Sequence, residues 1–134
     1  MKLSRPTLAT VLSIALITPA GFATKFYHGP AEAWVANSFG GVLYEIFWCL
    51  ALFLARPRLT PAAIAATVFA VTCALEFLQL WHPPFLETIR ATFLGAALIG
   101  TTFVPSDFAC YAAGSAVGCV WVRALRQSRP DVRQ

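Results

Sequence analysis

The sequence predicts an all-α membrane protein, built as one polytopic bundle of four to five transmembrane helices. Hydrophobic residues make up 58% of its 134 positions and charged residues 12%, whereas soluble globular domains average about 45–50% and about 25%. The apolar residues also gather in runs close to the roughly 20 that a helix needs to cross the hydrocarbon core. This composition indicates a lipid environment, and the length favours a single domain over residues 1–134.

Five apolar segments divide the chain. They run from about Thr7 to Ala23, Asn37 to Ala55, Pro61 to Trp81, Leu86 to Val104 and Asp107 to Leu125, and a basic tail follows at residues 126–134. Basic residues before the first segment are also typical of a cleaved signal peptide, but we expect this segment to remain as a membrane helix. Prolines stand between the segments, where they end one helix and allow the next to begin.

Small residues inside the segments predict helix packing rather than chemistry. Glycines allow two membrane helices to approach closely. The glycines concerned are Gly114 and Gly118 in a GxxxG pair, Gly40 and Gly41 in the second segment, and Gly95 and Gly100 in the fourth. The cysteines, at positions 49, 73, 110 and 119, form no CxxC pair and are expected to pack as small apolar side chains.

Basic residues set the expected orientation, because Lys and Arg collect in cytoplasmic loops. They cluster before the first segment, between the second and third at Arg56 and Arg58, and after the fifth. If all these clusters, and with them the N-terminus, are cytoplasmic, the number of crossings is even. The fourth segment is then expected to be re-entrant, since Glu87 and Arg90 occupy its start and only about 14 uninterrupted apolar residues follow. Five full crossings, with the basic tail outside, are the alternative.

Four polar side chains stand inside the apolar segments, namely Glu45, Glu76, Gln79 and Arg90. Glu76 and Gln79 share one helix face with Thr72. A charged group at the centre of a membrane helix costs about 2.5–3.5 kcal/mol, so it is expected to face the bundle and to have a partner. We expect Arg90 to pair with Glu45 or Glu76, either as a structural ion pair or in a polar pocket that binds an anionic headgroup.

A second group of polar and aromatic residues is expected at the outer surface. The loop "KFYHGPAEAWVAN" carries Lys25, His28 and Trp34, and the turn after the third segment carries His82. The spacing of the histidines and carboxylates matches no metal motif, so neither a metal nor another cofactor is expected. The basic residues form no patch on a folded polar face, which argues against a nucleic-acid partner.

Three blocks of the sequence resemble a family of small bacterial membrane proteins. The blocks "KFYHGPAEAWVANSFGGVLYEIFWCL", "TCALEFLQLWHPPFLETIRATFLG" and "GTTFVPSDFACYAAG" are similar to domain-of-unknown-function family 2809, over about residues 22–125. More remotely, an ordered set of residues resembles the signature of VanZ-like proteins. It consists here of Glu76, Gln79, Arg90, Gly95 and Gly100. VanZ-like proteins typically carry an Asp and an Asn between the Arg and the glycines, where this chain has residues such as Thr92 and Phe93.

The resemblance implies a multi-pass protein of the bacterial inner membrane that works in the cell envelope. We expect it to bind membrane lipid, a lipid-linked envelope precursor or another anionic amphiphile at the Glu/Gln/Arg site. Two alternatives stay open. One is a small accessory subunit that binds another membrane protein in a larger complex. The other is an intramembrane enzyme in which Glu76 acts as a base and Arg90 stabilises an anion.

Overall fold

A computed structural model of the chain describes residues 5–99 and 105–127. These residues form six helices and no strand. The helices are α1 (Arg5–Phe26), α2 (Glu32–Ala55), α3 (Pro61–Leu78), α4 (Pro84–Arg90), α5 (Phe93–Ile99) and α6 (Asp107–Gln127). Four of them, α1, α2, α3 and α6, are long and apolar enough to cross a membrane. The predicted all-α membrane bundle is therefore confirmed.

Proline stands at the start of the third helix, as the sequence predicted, and a threonine caps it. Pro61 occupies its first turn, where a missing backbone N–H costs nothing. Thr60 precedes it in an extended conformation, and its hydroxyl accepts a hydrogen bond from the Ala63 N–H at 3.1 Å. This side chain replaces one of the hydrogen bonds that the first turn of a helix lacks. Pro84 starts α4 in the same way, after an extended Pro83.

The loop between α1 and α2 is shorter than predicted. Helix α2 begins at Glu32 and continues through a π-helical turn, Val35–Phe39, into its apolar part. The second half of the predicted loop is therefore helical, and the exposed Trp34 side chain lies on its first turn. Sequence reasoning missed this extension because a polar stretch that cannot span lipid can still extend a helix beyond the membrane.

The predicted fourth segment is divided into two short helices. Helices α4 and α5 have seven residues each, which corresponds to about 10 Å of rise and cannot cross a core about 30 Å thick. Arg90, at the end of α4, and Ile99, at the end of α5, both bond to residues at the C-terminal end of α3. The described part of this segment thus stays on one side of the bundle, as expected of a segment that does not cross the membrane.

The long helices pack through α2 and α6. Helix α6 lies along α2 and α3, and α2 also packs on α1. The GxxxG pair makes the closest approach: a Cβ added to Gly114 would lie 2.6 Å from the Glu45 Cβ, and one added to Gly118 would lie 2.7 Å from the Cys49 Sγ. The prediction of close packing at this pair is confirmed. The space beside Gly95, by contrast, is filled by the Ile89 carbonyl of the preceding short helix.

The two ends of the bundle differ in charge. At one end, the Arg126 guanidinium donates to the Leu59 carbonyl at 3.3 Å, which joins the end of α6 to the basic turn between α2 and α3. Trp121 donates to the Ser13 hydroxyl at 3.1 Å, so the first half of α1 lies near the same end. The other end carries α4, α5 and the loop before α2. The predicted basic tail beyond residue 127, Gly100 and the end of the predicted fourth segment lie outside the described residues.

Candidate functional site

A cavity of about 410 Å³ opens at the end of the bundle opposite the basic turn. Its volume lies in the range of small-molecule pockets, about 300–1,000 Å³. Helices α1, α2, α3, α5 and α6 all contribute to its wall. The polar side chains that line it are Thr18, Lys25, Asn37, Tyr44, Thr72, Glu76, Gln79, Asp107 and Tyr111. The rest of the wall is mostly apolar, so the cavity has both polar and apolar surfaces.

Gln79 lines this cavity at the C-terminal end of α3, with only 3% of its surface exposed. Its Nε2 donates to the Leu75 carbonyl at 2.9 Å and also to the Ile99 carbonyl of α5. Two carbonyl acceptors around one end of the side chain identify that end as the amide nitrogen. The amide oxygen Oε1 is buried and has no hydrogen-bond partner in the part of the chain that the structure describes.

Glu76 lies one turn before Gln79 and is also buried. Its Oε2 accepts a hydrogen bond from the Tyr111 hydroxyl at 3.0 Å, which links α3 to α6 across the cavity wall. Tyr44 of α2 donates to the Leu98 carbonyl of α5 at 2.6 Å. These contacts fix the short helix α5 against the spanning helices and keep the polar side chains in place.

Glu45 lies deeper, at the contact of α2, α3 and α6, and is 0% exposed. Its Oε1 accepts hydrogen bonds from the Thr72 hydroxyl at 3.0 Å and the Ser115 hydroxyl at 2.7 Å. Its Oε2 is buried without a partner among the described residues. Thr72 lies between Glu45 and the cavity, because it contacts the first and lines the second. Three of the four predicted site residues thus come together, with Glu45 one layer behind the cavity wall.

Arg90 corrects the sequence prediction. Its ion-pair partner in the described chain is Glu87, at 2.7 Å, rather than Glu45 or Glu76. The same guanidinium donates to the Trp81 and Leu78 carbonyls at 2.8 and 2.9 Å. A helix leaves its last carbonyls without intrahelical partners and carries partial negative charge there. Arg90 therefore caps the end of α3, and it is not among the residues that line the cavity.

The predicted outer-surface residues have different positions. Lys25 lines the cavity and donates to the Ala36 carbonyl at 2.9 Å. His28 and His82 are exposed and pair with Glu32 at 3.1 Å and Glu87 at 2.9 Å. The hydrogen bond from His82, and then that from Arg90, holds the pKa of the Glu87 carboxyl below its usual range. Across residues 5–99 and 105–127, no three His, Cys, Asp or Glu side chains are grouped as metal ligands.

Sequence reasoning missed a polar stripe on α6. Asp107, Tyr111 and Ser115 follow each other at intervals of four, so they share one helix face. The first two line the cavity, and the third bonds to Glu45. One of the Asp107 carboxyl oxygens, Oδ1, is buried without a partner in the described chain. The regular spacing was the signal that could have identified this stripe.

A family model matches most of the residues that build the site. The family described as "Protein of unknown function (DUF2809)" matches residues 31–115, which is more than half of the chain. The matched region extends from the start of α2 to the middle of α6 and includes every carboxylate and the Gln79 amide discussed above. No curated protein and no solved structure matches the chain. The family model covers α2, α3, α5 and the first part of α6 but not α1; because it matches more than half of the chain, the chain belongs to the DUF2809 family.

Proposed function

We propose that this integral membrane protein binds the polar end of an amphiphile in the cavity between its long helices and α5. The observation that carries this proposal is the cavity itself, of about 410 Å³, with buried polar groups in an otherwise apolar wall. An intramembrane polar group is costly and is therefore a candidate for function. An amphiphile satisfies both kinds of surface, because its head meets the polar groups and its chain meets the apolar ones.

Helix α5 supports access from lipid rather than from water alone. It is too short to span, and its exposed side chains include Phe93, Leu94 and Leu98. Phe93 stacks on Phe22 and Phe26 of α1, with ring centroids 5.8 and 5.6 Å apart. The wall between α1 and α5 thus consists of apolar side chains that are compatible with an acyl chain.

The setting we propose is the bacterial inner membrane, with the N-terminus in the cytoplasm. The basic residues near Arg56, Arg58 and Arg126 share one end of the bundle, and the positive-inside rule assigns that end to the cytoplasm. The cavity then opens toward the outer leaflet, where envelope precursors and lipids are handled. The VanZ-like order of Glu76, Gln79 and Arg90 agrees with such a role, with Arg90 supporting the α3 end rather than the ligand.

Native mass spectrometry of the protein purified with its lipids tests this proposal. A cavity-filling variant is Gly21→Leu, because Gly21 lines the cavity and an added Cβ meets no atom within 4 Å. The matched control is Leu12→Phe, on the exposed face of the same helix. We expect the wild type and the control to retain one amphiphile, and the filled variant to lose it while staying folded.

Two results would contradict the proposal. Equal retention by the filled variant would place the bound lipid outside the cavity. Recovery of a stoichiometric protein partner, with an empty cavity, would favour the accessory-subunit alternative. The enzyme alternative required Arg90 beside Glu76, and the structure instead engages Arg90 at the α3 end.

A further inference from the structure

We propose that the polar end of the occupant is a primary ammonium group, as in a phospholipid with an ethanolamine head, and not an anion alone. This inference rests on the proposed binding of an amphiphile in the cavity and names the chemistry of its head. It differs from the sequence expectation of an anionic headgroup held by Arg90.

The unfilled polar atoms of the cavity are all acceptors. Gln79 Oε1 and Asp107 Oδ1 belong to lining residues, are buried and have no partner in the described chain. The amide nitrogen of Gln79 is already used by two carbonyls. A buried acceptor left without a donor is destabilising. A ligand that completes this site must therefore donate hydrogen bonds.

The charges on the wall favour the same kind of ligand. Glu76 and Asp107 provide two carboxylates and Lys25 provides one ammonium, so the formal charge of the lining is negative by one. The Lys25 ammonium already donates to the Ala36 carbonyl. Arg90, the basic side chain nearest in sequence to Gln79, bonds to two carbonyls and to Glu87. An anion would meet carboxylates with one lysine to offset them.

A primary ammonium suits both the unpaired acceptors and the negative formal charge of the cavity wall. It has three N–H donors on one positive centre, which can reach an amide oxygen and a carboxylate at once. The phosphate of the same lipid head would then meet Lys25. A choline head carries the same charge but has no N–H donor, and a glycerol head has hydroxyl donors but no positive charge. Comparing the binding of the three lipids therefore shows whether the site requires positive charge, hydrogen-bond donors or both.

The test exchanges the bound lipid in nanodiscs that contain equal amounts of phosphatidylethanolamine, phosphatidylcholine and phosphatidylglycerol with identical acyl chains. Native mass spectrometry then gives the ratio bound. Because a hydrogen bond to a charged group contributes about 1.5–3 kcal/mol, we expect the ethanolamine lipid to be enriched by about tenfold or more. Asp107→Asn should remove most of the enrichment, Asp107→Glu should keep part of it, and Glu32→Gln, at the exposed start of α2, should keep all of it.

The outcomes separate this inference from the proposed function. Enrichment of phosphatidylglycerol, or equal binding of all three lipids in a cavity that Gly21→Leu empties, overturns the ammonium inference and leaves amphiphile binding intact. Retention of no lipid by the wild type overturns both. Displacement of the lipid by spermidine, added as a soluble amine, supports the ammonium chemistry.

Discussion

Replacing Gly114 by alanine tests how closely α2 and α6 pack behind the cavity. The added Cβ would lie 2.6 Å from the Glu45 Cβ and 2.8 Å from the Val42 carbonyl oxygen, a backbone atom that cannot rotate away. Since carbon atoms pack best at about 3.5–4.0 Å, the two helices must separate by about 1 Å. The separation occurs at the level where Ser115 donates to Glu45.

The expected loss of stability follows from these contacts. Overpacking of a close contact typically costs about 1–3 kcal/mol. Weakening the Ser115–Glu45 hydrogen bond adds about 1 kcal/mol, and the better helix propensity of alanine offsets a similar amount. We therefore expect the unfolding free energy of Gly114→Ala to fall by about 2 kcal/mol. Reversible unfolding by a denaturing detergent in mixed micelles measures this difference.

Two further glycine variants serve as controls. Gly118→Ala brings its Cβ to 2.7 Å from the Cys49 Sγ and 2.9 Å from the Cys49 Cβ, but no closer than 3.8 Å to a backbone atom, so its loss should be smaller. Gly21→Ala meets no atom within 4 Å and should be as stable as the wild type or slightly more stable. If Gly114→Ala were as stable as Gly21→Ala, the close packing of α2 on α6 would be refuted.

Substitutions at three other positions probe the polar groups. Arg90→Lys loses the fork of donors that caps α3, so the unfolding free energy should fall by about 2 kcal/mol. Lipid retention by the folded protein should stay unchanged. Normal stability together with lost lipid retention would show instead that Arg90 belongs to the binding site. His82 and Arg90 lower the pKa of the Glu87 carboxyl. The ionised Glu87 carboxylate therefore stabilises the fold fully above the usual carboxyl pKa of about 4.3, and this stabilisation is lost as pH falls through the lower pKa of the folded state. Glu87→Gln should flatten this acid dependence of detergent unfolding, and an unchanged profile would contradict it. Glu45→Gln keeps the acceptor for Thr72 and Ser115, so its unfolding free energy should equal that of the wild type. Glu45→Ala should lose about 2–4 kcal/mol of unfolding free energy. Equal losses in the two variants would mean that an ionised carboxylate is required.

The membrane helices could be predicted from the sequence because lipid imposes a simple rule on length and polarity. The four long apolar runs became α1, α2, α3 and α6. The predicted fourth segment, residues 86–104, was expected to differ because Glu87 and Arg90 shorten its apolar part. Its described residues form parts of two short helices. The Gly114 and Gly118 spacing also identified a helix contact in advance.

The partners of the polar side chains could be predicted only in part. Glu76 and Gln79 share a helix face by spacing alone, so their shared position in the cavity followed. The partners of Arg90 include backbone carbonyls at the end of α3, and every residue has such a carbonyl, so no side-chain pattern marks them. Tyr111 meets Glu76 of α3 only after the bundle folds, because the two residues lie 35 positions apart in sequence.

Photo-crosslinking from inside the cavity tests amphiphile binding most directly. A photoreactive side chain in place of Ala97, which lines the cavity, is compared in cells with the same side chain in place of Leu12, which is 60% exposed on α1. We expect the Ala97 position to give one dominant lipid adduct carrying a primary amine, and the Leu12 position to give adducts in the proportions of the bulk membrane. The same bulk proportions at both positions would contradict a selective site in this cavity.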